Sequence, residues 1–492
     1  MRRHGAGNRG RAPSLGGMLN TMKDQPGADG SQAIRRLAGW TLQPDPAWSD
    51  PAVLTQTKLI LLDSLACAIA ALEVPTPRKV AALINMLGGA PMCSIVGRAE
   101  KASILSAVLM NGALVRSLDF NDVQFFLKEG KLSVAGHCSD NIPAALAAAE
   151  HKGATGQATL EAIAMGYELF GRLRRLMPFT SAWDGTSVSG LVAAAIYGRL
   201  AGFDAETQAN ALALGAIRCA TPSVVRWGRL SGAKNLANAL IAQSAVQGAM
   251  LAELGVTGPL EVLDHRGGLF QVFDPDLGLD SLWAPLDEAP YIMTSGIKPY
   301  ACIGTAQTTV AAALQLHPKV KDRLDRISRI NVVMADLPMI RKQQGEAHRR
   351  QPRTREAADH SFTFLPAVAM AEGAMTDAQF RDRRWEQPDM LRLIEATDLT
   401  VEPGLAERAP GSMPSRIEVT LDDRSVVSEE CLFHPGHSFP DRGLDAAAVC
   451  RKYDEVVGPH LSDATRKALR EAVLDFETRD IAAIMTLLRT LG

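Results

Sequence analysis

Residues 117–150 read SLDFNDVQFFLKEGKLSVAGHCSDNIPAALAAAE. Two acids, Asp119 and Asp122, follow closely on an apolar run, AVLMNGALV. A Lys-Glu-Gly turn comes next, then a short segment bounded by Gly130 and Gly136, then His137. Ser139-Asp140-Asn141 reads as a helix cap ahead of the apolar run that begins at Ile142. Ionisable groups are thus gathered in a loop between two strongly apolar helices, and loops held by rigid elements commonly carry chemistry. Asp119 and His137 are too far apart to share one helix face, so they meet only if the loop folds back. Asp119 and Asp122 stand at i, i+3; on a helix they would be neighbours, and one could raise the pKa of the other and serve as general acid or base. The plainer alternatives are solvated acids in a helix-end loop and a structural, hydrogen-bonding His137.

Outward from this stretch the pattern is helical from about residue 32 to 254. Segments 57–72, 102–115, 142–152, 156–176, 187–200, 205–216 and 235–254 are separated by Gly or Pro punctuation. Segment 57–72 is apolar on most sides and is expected at the centre. Alternating strands are not read in this half, which disfavours a parallel βαβ sheet. The texture changes near residues 282–294. Segment 301–316 reads as an apolar helix, 326–334 as a strand, 341–354 as a charged loop, and 416–432 as a hairpin around Asp422-Asp423. Helices are expected again over 358–370, 376–385, 443–457 and 462–491. The expected fold is mainly α: a discontinuous all-helical domain, 31–295 with 435–492, and a smaller α+β lid domain, 296–434. Residues 1–30 read as a disordered tail.

Composition narrows the function classes. Of 492 residues, 47% are hydrophobic and 22% charged, a globular balance with room for a large core. A net charge of −2 implies no general attraction to nucleic acid. Aromatics are only 5% while Ala and Leu fill long tracts, which favours helices packed closely through small residues. The seven cysteines are odd in number and include no C-x-x-C, so reduced thiols in a cytoplasmic protein are expected, without an iron–sulfur cluster or structural zinc. The first thirty residues lack the apolar core of a signal peptide. The neutral runs contain Asn, Gln and Ser and read as buried helices rather than membrane spans. There is no Walker loop, dinucleotide-binding G-x-G-x-x-G, H-E-x-x-H or EF-hand loop.

Two lysines stand out. Lys234 enters a long neutral helix near its N-terminus, where the helix dipole disfavours a cation unless an anion is bound there. Lys298 precedes another neutral helix. Together they suggest a site for a small polyanion, with Arg226, Arg229, Arg349, Arg350, Arg353 and Arg355 as further candidates for carboxylate contacts. A surface lysine capping a turn is the ordinary alternative for each. Asp359-His360-Ser361 holds the letters of a catalytic triad, but adjacent residues cannot converge as a triad does. It reads as a helix start with a packed histidine.

These pieces, in order, resemble the MmgE/PrpD family. They are LLDSLAC (61–67), SLDFND (117–122), GHCSDNIP (136–143), Lys234 followed by Leu251 and Gly258-Pro259, KPYAC (298–302) and PRTREAADHS (352–361). The resemblance implies a large helical domain with a smaller α+β lid, and a homodimer. It also implies a site between the domains for a small di- or tricarboxylate, needing no metal or other cofactor. Carried over by position, the family's site residues fall on Asp119, His137, Lys234 and Lys298, with Asp122 and Gln307 as substrate-binding candidates. The implied reaction is a lyase step through a carbanion beside a carboxylate. Dehydration, as by 2-methylcitrate dehydratase, is the leading expectation; decarboxylation, epimerisation or a catalytically weakened carboxylate binder are the alternatives. The chain departs from the family pattern at Val123, Cys138, Gly185 and Gln307, where a hydroxyl, a proline and two imidazoles are expected.

Overall fold

A computed structural model describes residues 31–128, 131–177, 182–269, 282–283, 290–438 and 443–491. The expectation for residues 1–30 lies outside them. Among the described residues, nine α-helices build the first part: α1 (Gln32–Leu42), α2 (Pro51–Ala70), α3 (Pro75–Leu87), α4 (Ile104–Arg116), α5 (Ile142–Lys152), α6 (Gly156–Leu176), α7 (Ser189–Ala201), α8 (Ala205–Ala216) and α9 (Ala233–Glu253).

Helix α2 opens with Pro51 in its first turn and the Asp50 carboxylate accepting from the Ala52 and Val53 amides, two groups the helix itself cannot satisfy. It is long and apolar enough to cross a membrane, but 78% of that window is buried by its neighbours, so it is the central core helix. Small residues let the surrounding helices approach. A Cβ on Gly112 of α4 would stand 2.7 Å from the Ala239 side chain of α9, and one on Gly215 of α8 would stand 2.4 Å from the Gly190 carbonyl of α7. Larger residues there would force the helices apart.

The opening stretch is not wholly a loop. Strands β1 (Val123–Lys128) and β2 (Lys131–Gly136) form an antiparallel hairpin, and β3 (Ser295–Gly296) adds to β1 in the order β2-β1-β3. The expectation of no strands before residue 254 is therefore corrected. Phe125 and Phe126 are both buried, so the strand has no clean alternation to read.

The lid sheet runs β5-β4-β6-β7, from β4 (Ile327–Ala335), β5 (Thr397–Glu402), β6 (Ser415–Leu421) and β7 (Val426–Cys431); β4 and β5 are parallel and the other pairs antiparallel. Helices α10 (Gln307–Val320), α11 (Phe364–Glu372) and α12 (Pro388–Glu395) accompany it. Helix α10 begins six residues later than expected, so Lys298 lies in an irregular segment. The charged stretch read as a loop holds two short helices, Pro338–Gln344 and Ala347–Arg350. Segment 358–370 is broken at residues 359–363 before α11.

Three helices close the chain: α13 (Ala446–Val457), α14 (Asp463–Leu474) and α15 (Ile481–Arg489). They pack on the first part. Lys452 of α13 pairs with Asp63 of α2 at 2.5 Å, the Gly97 amide donates to Leu488 O at 2.8 Å, and the Gly156 amide donates to Arg479 O at 2.8 Å. The two crossings between the parts run side by side, with the Ile297 amide donating to Gly436 O at 3.0 Å.

Candidate active site

The site is organised by a turn. Helix α4 is buried on nearly every side and closes with Arg116, itself buried. The chain then reverses so that Asp119 takes a left-handed φ of 48°, a conformation tolerated by Asp better than by most residues. Asp119 and Asp122 are therefore not helix neighbours, which corrects the i, i+3 expectation. Asp119 turns toward three cations. Arg116 Nη1 donates to its Oδ1 at 2.8 Å, Lys298 Nζ to the same oxygen at 2.6 Å, and Lys234 Nζ to Oδ2 at 3.1 Å. Lys298 also donates to the Asp119 backbone carbonyl at 2.6 Å. Lys234 and Lys298 are each about 1% exposed. The anion that relieves Lys234 at the head of α9 is thus the protein's own carboxylate.

Burial alone would raise the Asp119 carboxyl, but Arg116, Lys234 and Lys298 outweigh it and hold it well below the usual carboxylate range. A carboxylate stabilised in this way is a weak base. Both lysines are pushed down by burial, an effect the Asp119 charge opposes.

Asp119 forms part of the wall of a 520 Å³ cavity between the helical part and the lid. His137 and His360 share that wall; the two lysines stand behind Asp119 and do not. His137 follows the hairpin, and its Nδ1 meets the Asp122 carbonyl, which can only accept. Nδ1 therefore carries the proton, and Nε2 keeps its lone pair. Burial, with Arg116 and Lys298 nearby, depresses its pKa well below the ordinary value, so the ring is neutral. His360 Nε2 lies 3.4 Å from Asp119 Oδ2, and its Nδ1 contacts Asp359 and lies 3.5 Å from Lys234 Nζ. Burial and Lys234 hold this ring neutral too. Asp359 itself is pushed up to about 6 by burial.

His360 corrects the sequence reading. Its segment does lead into a helix and the histidine is packed, but the break before α11 also carries the imidazole to Asp119. Ser361 Oγ accepts from the Phe364 amide and so starts α11 just beyond it. Two substrate-binding expectations also change. Asp122 faces away from the cavity and accepts from Ser139 Oγ at 2.6 Å and Tyr167 OH at 2.7 Å. Burial, reinforced by Asp140 and Asp63, raises it to about 7. Gln307 donates to the Tyr300 and Cys302 carbonyls at 3.1 and 3.0 Å, holding the irregular segment that carries Lys298.

Five arginines line the cavity, Arg116, Arg174, Arg175, Arg226 and Arg349, against Asp119, Asp140 and Asp184. Of the arginines singled out from sequence, Arg226 and Arg349 are here. Arg229 and Arg353 line a separate, smaller hollow, Arg350 donates to Thr397 O, and Arg355 pairs with Asp377. Arg116 carried a signal that was overlooked: it is the lone charge at the end of an apolar helix. Arg174 and Arg175, in the last turn of α6, were not singled out from the sequence. An apolar wall of Phe125, Phe126, Phe170, Trp183 and Met339 completes the cavity.

The donor atoms of Asp119, Asp359 and His360 lie within 4.8 Å of one another, the one grouping of possible metal ligands among the described residues. Arg116, Lys234 and Lys298 already neutralise it, and a metal cation would meet three positive charges.

A helical body and a mixed lid, enclosing a guanidinium-lined cavity with two neutral imidazoles, define a class of protein suited to a small anion. The family model of the MmgE/PrpD N-terminal domain matches residues 35–280 and that of the MmgE/PrpD C-terminal domain matches residues 300–478, so the chain belongs to the MmgE/PrpD family. Among its relatives, the cis-aconitate decarboxylase-like protein oryM of Aspergillus oryzae is 23% identical over 92% of this chain and 96% of its own length. The cis-aconitate decarboxylase of Aspergillus terreus is 23% identical over 89% of this chain and 91% of its own. That of Mus musculus is 24% identical over 78% and 79%.

Proposed function

We propose that the protein is a lyase acting on a small di- or tricarboxylate through a carbanion beside a carboxylate, with decarboxylation the favoured outcome. The observation that carries this reading is the pairing of two neutral imidazoles, His137 and His360, with a cation-rich wall in one cavity. The relatives named for cis-aconitate decarboxylation weigh the choice toward loss of CO2 rather than water.

The division of labour differs from a simple base at Asp119. A bound polycarboxylate brings two or three negative charges, held by guanidinium groups that match carboxylate geometry. Those charges favour protonated imidazole and so raise His137 and His360 from their depressed values. Decarboxylation breaks the carbon–carbon bond to one carboxylate. CO2 leaves, and the electron pair delocalises toward a neighbouring carboxylate, stabilised by the fixed positive charges of the wall. An imidazolium then delivers a proton to carbon, and solvent restores it. Asp119 orients Arg116, Lys234 and Lys298 throughout. The apolar wall suits the carboxylate that leaves, because an uncharged product replaces a charge there.

The test is incubation with cis-aconitate in D2O, followed by proton NMR and CO2 detection. Release of CO2 with one deuterium on carbon supports the reading. Dehydration of 2-methylcitrate in place of decarboxylation would move the choice to a hydro-lyase on the same site. No turnover and no binding of either acid would overturn it.

A further inference from the structure

Arg174 occupies space that a side chain at residue 185 would otherwise fill. A Cβ on Gly185 would stand 2.7 Å from both Cζ and Nε of Arg174, so the guanidinium lies across the Gly185 backbone. Nε donates to the Ala135 carbonyl of β2 at 2.6 Å, and Nη1 to Met177 Sδ at 3.3 Å. No carboxylate among the described residues lies within ion-pair distance of it. Asp184, next in the chain, instead pairs with Arg226 at 2.7 Å. Burial pushes the Arg174 guanidinium down to about 10, with Asp184 opposing and Arg226 reinforcing the effect. Among the described residues, Arg174 makes no hydrogen bond or ion pair with Asp119, Lys234, Lys298 or His360; its partners are Ala135 and Met177. The cavity therefore has two cationic poles. At one, the carboxylates of Asp119, Asp140 and Asp359 each lie within 3.8 Å of Arg116, Lys234 or Lys298. At the other, Arg174 is charged, half-buried and served by a carbonyl and a sulfur.

We propose that Arg174, laid over Gly185, is a specificity-determining residue that binds an additional carboxylate of the substrate, away from the Asp119 cluster. This rests on the polycarboxylate reading above and deepens it: the preferred substrate carries one carboxylate more than the Asp119 pole alone can use. A side chain larger than hydrogen at residue 185 would force the guanidinium out of this position, so the glycine and the arginine work as a pair. The imidazole expected near this position is replaced here by the Asp184–Arg226 ion pair and the adjacent Arg174.

Calorimetry with propane-1,2,3-tricarboxylate and pentanedioate tests this on the full chain. Wild type should bind the tricarboxylate about tenfold or more tightly than the dicarboxylate, the scale of one charge-assisted contact. Arg174→Met should abolish that increment and leave dicarboxylate binding nearly unchanged. Arg174→Lys should restore part of it. Gly185→Ala should mimic Arg174→Met, because the backbone at 185 accepts alanine and only the tip of a flexible side chain must move. Should Arg174→Met fail to fold, Gly185→Ala still decides. Equal weakening of both acids, or an increment that survives in both variants, overturns the subsite alone. A wild-type protein that binds neither acid overturns the subsite and the polycarboxylate reading together.

Discussion

The Asp119 cluster and the Arg174 end of the cavity use cations in opposite ways. Around Asp119, one carboxylate holds Arg116, Lys234 and Lys298 within 3.1 Å. Around Arg174, a single guanidinium donates to a carbonyl and a sulfur, with no carboxylate among the described residues in ion-pair contact. With Asp140 and Asp359 each 3.8 Å from one of these cations, the first arrangement is matched by the protein's own carboxylates and fixes positions. The second leaves charge to be matched by a ligand. Charge type is thus a poor guide to role: the lysines singled out from the sequence are behind the wall, while Arg174, which was not, is on it.

Breaking the balanced pole should have the largest effect. Asp119→Asn leaves three buried cations without their common anion, and stability should fall by about 3–5 kcal/mol, the usual cost of removing one partner from a buried pair. Chemical denaturation measures this, and turnover should be lost with it. Next come the imidazoles. His360→Gln should lower kcat by about 10²–10⁴-fold, the range for a general acid–base group, with KM little changed. A fall in KM-derived affinity without a fall in kcat would return His360 to a packing role.

The pH dependence sharpens the contrast further. The His137 pKa is depressed in the folded protein relative to 6.5, so the unfolded chain binds the proton more readily. Stability should therefore fall as pH drops below 6.5. Asp122 acts oppositely. Its folded value, about 7, lies above 3.8, so its contribution is complete below 3.8 and is lost as pH rises through about 7. Asp122→Asn stays neutral throughout and should lose less stability than wild type between pH 5 and pH 8, as read from denaturation midpoints. The smallest effect is expected at Gln307. Gln307→Ala leaves the carbonyls near Cys302 short of a donor and should cost about 1–3 kcal/mol, with no selective change in carboxylate affinity.

The helical part was legible because its helices are long, apolar and punctuated by Gly and Pro. The lid's strand at Ile327–Ala335 and the Asp422-Asp423 hairpin were legible from β-branched alternation and turn residues. The β1–β2 hairpin was not, because Phe125 and Phe126 are buried together and erase the alternation. At the site, the meeting of Asp119 with Lys234 and Lys298 followed from family position rather than spacing. The left-handed turn at Asp119 and the break that delivers His360 are tertiary features without a local pattern. Arg174 was hidden for another reason: its role depends on the absence of a side chain at Gly185.

Nitrogen-15 NMR of the imidazole rings at pH 7, with and without saturating propane-1,2,3-tricarboxylate, tests most directly whether neutral imidazoles face a cavity poised for anions. The expected result is a His137 ring that carries its proton on Nδ1 alone in the free protein and becomes doubly protonated when the anion is bound. A ring already charged in the free protein, or one unaltered at saturation, would contradict it.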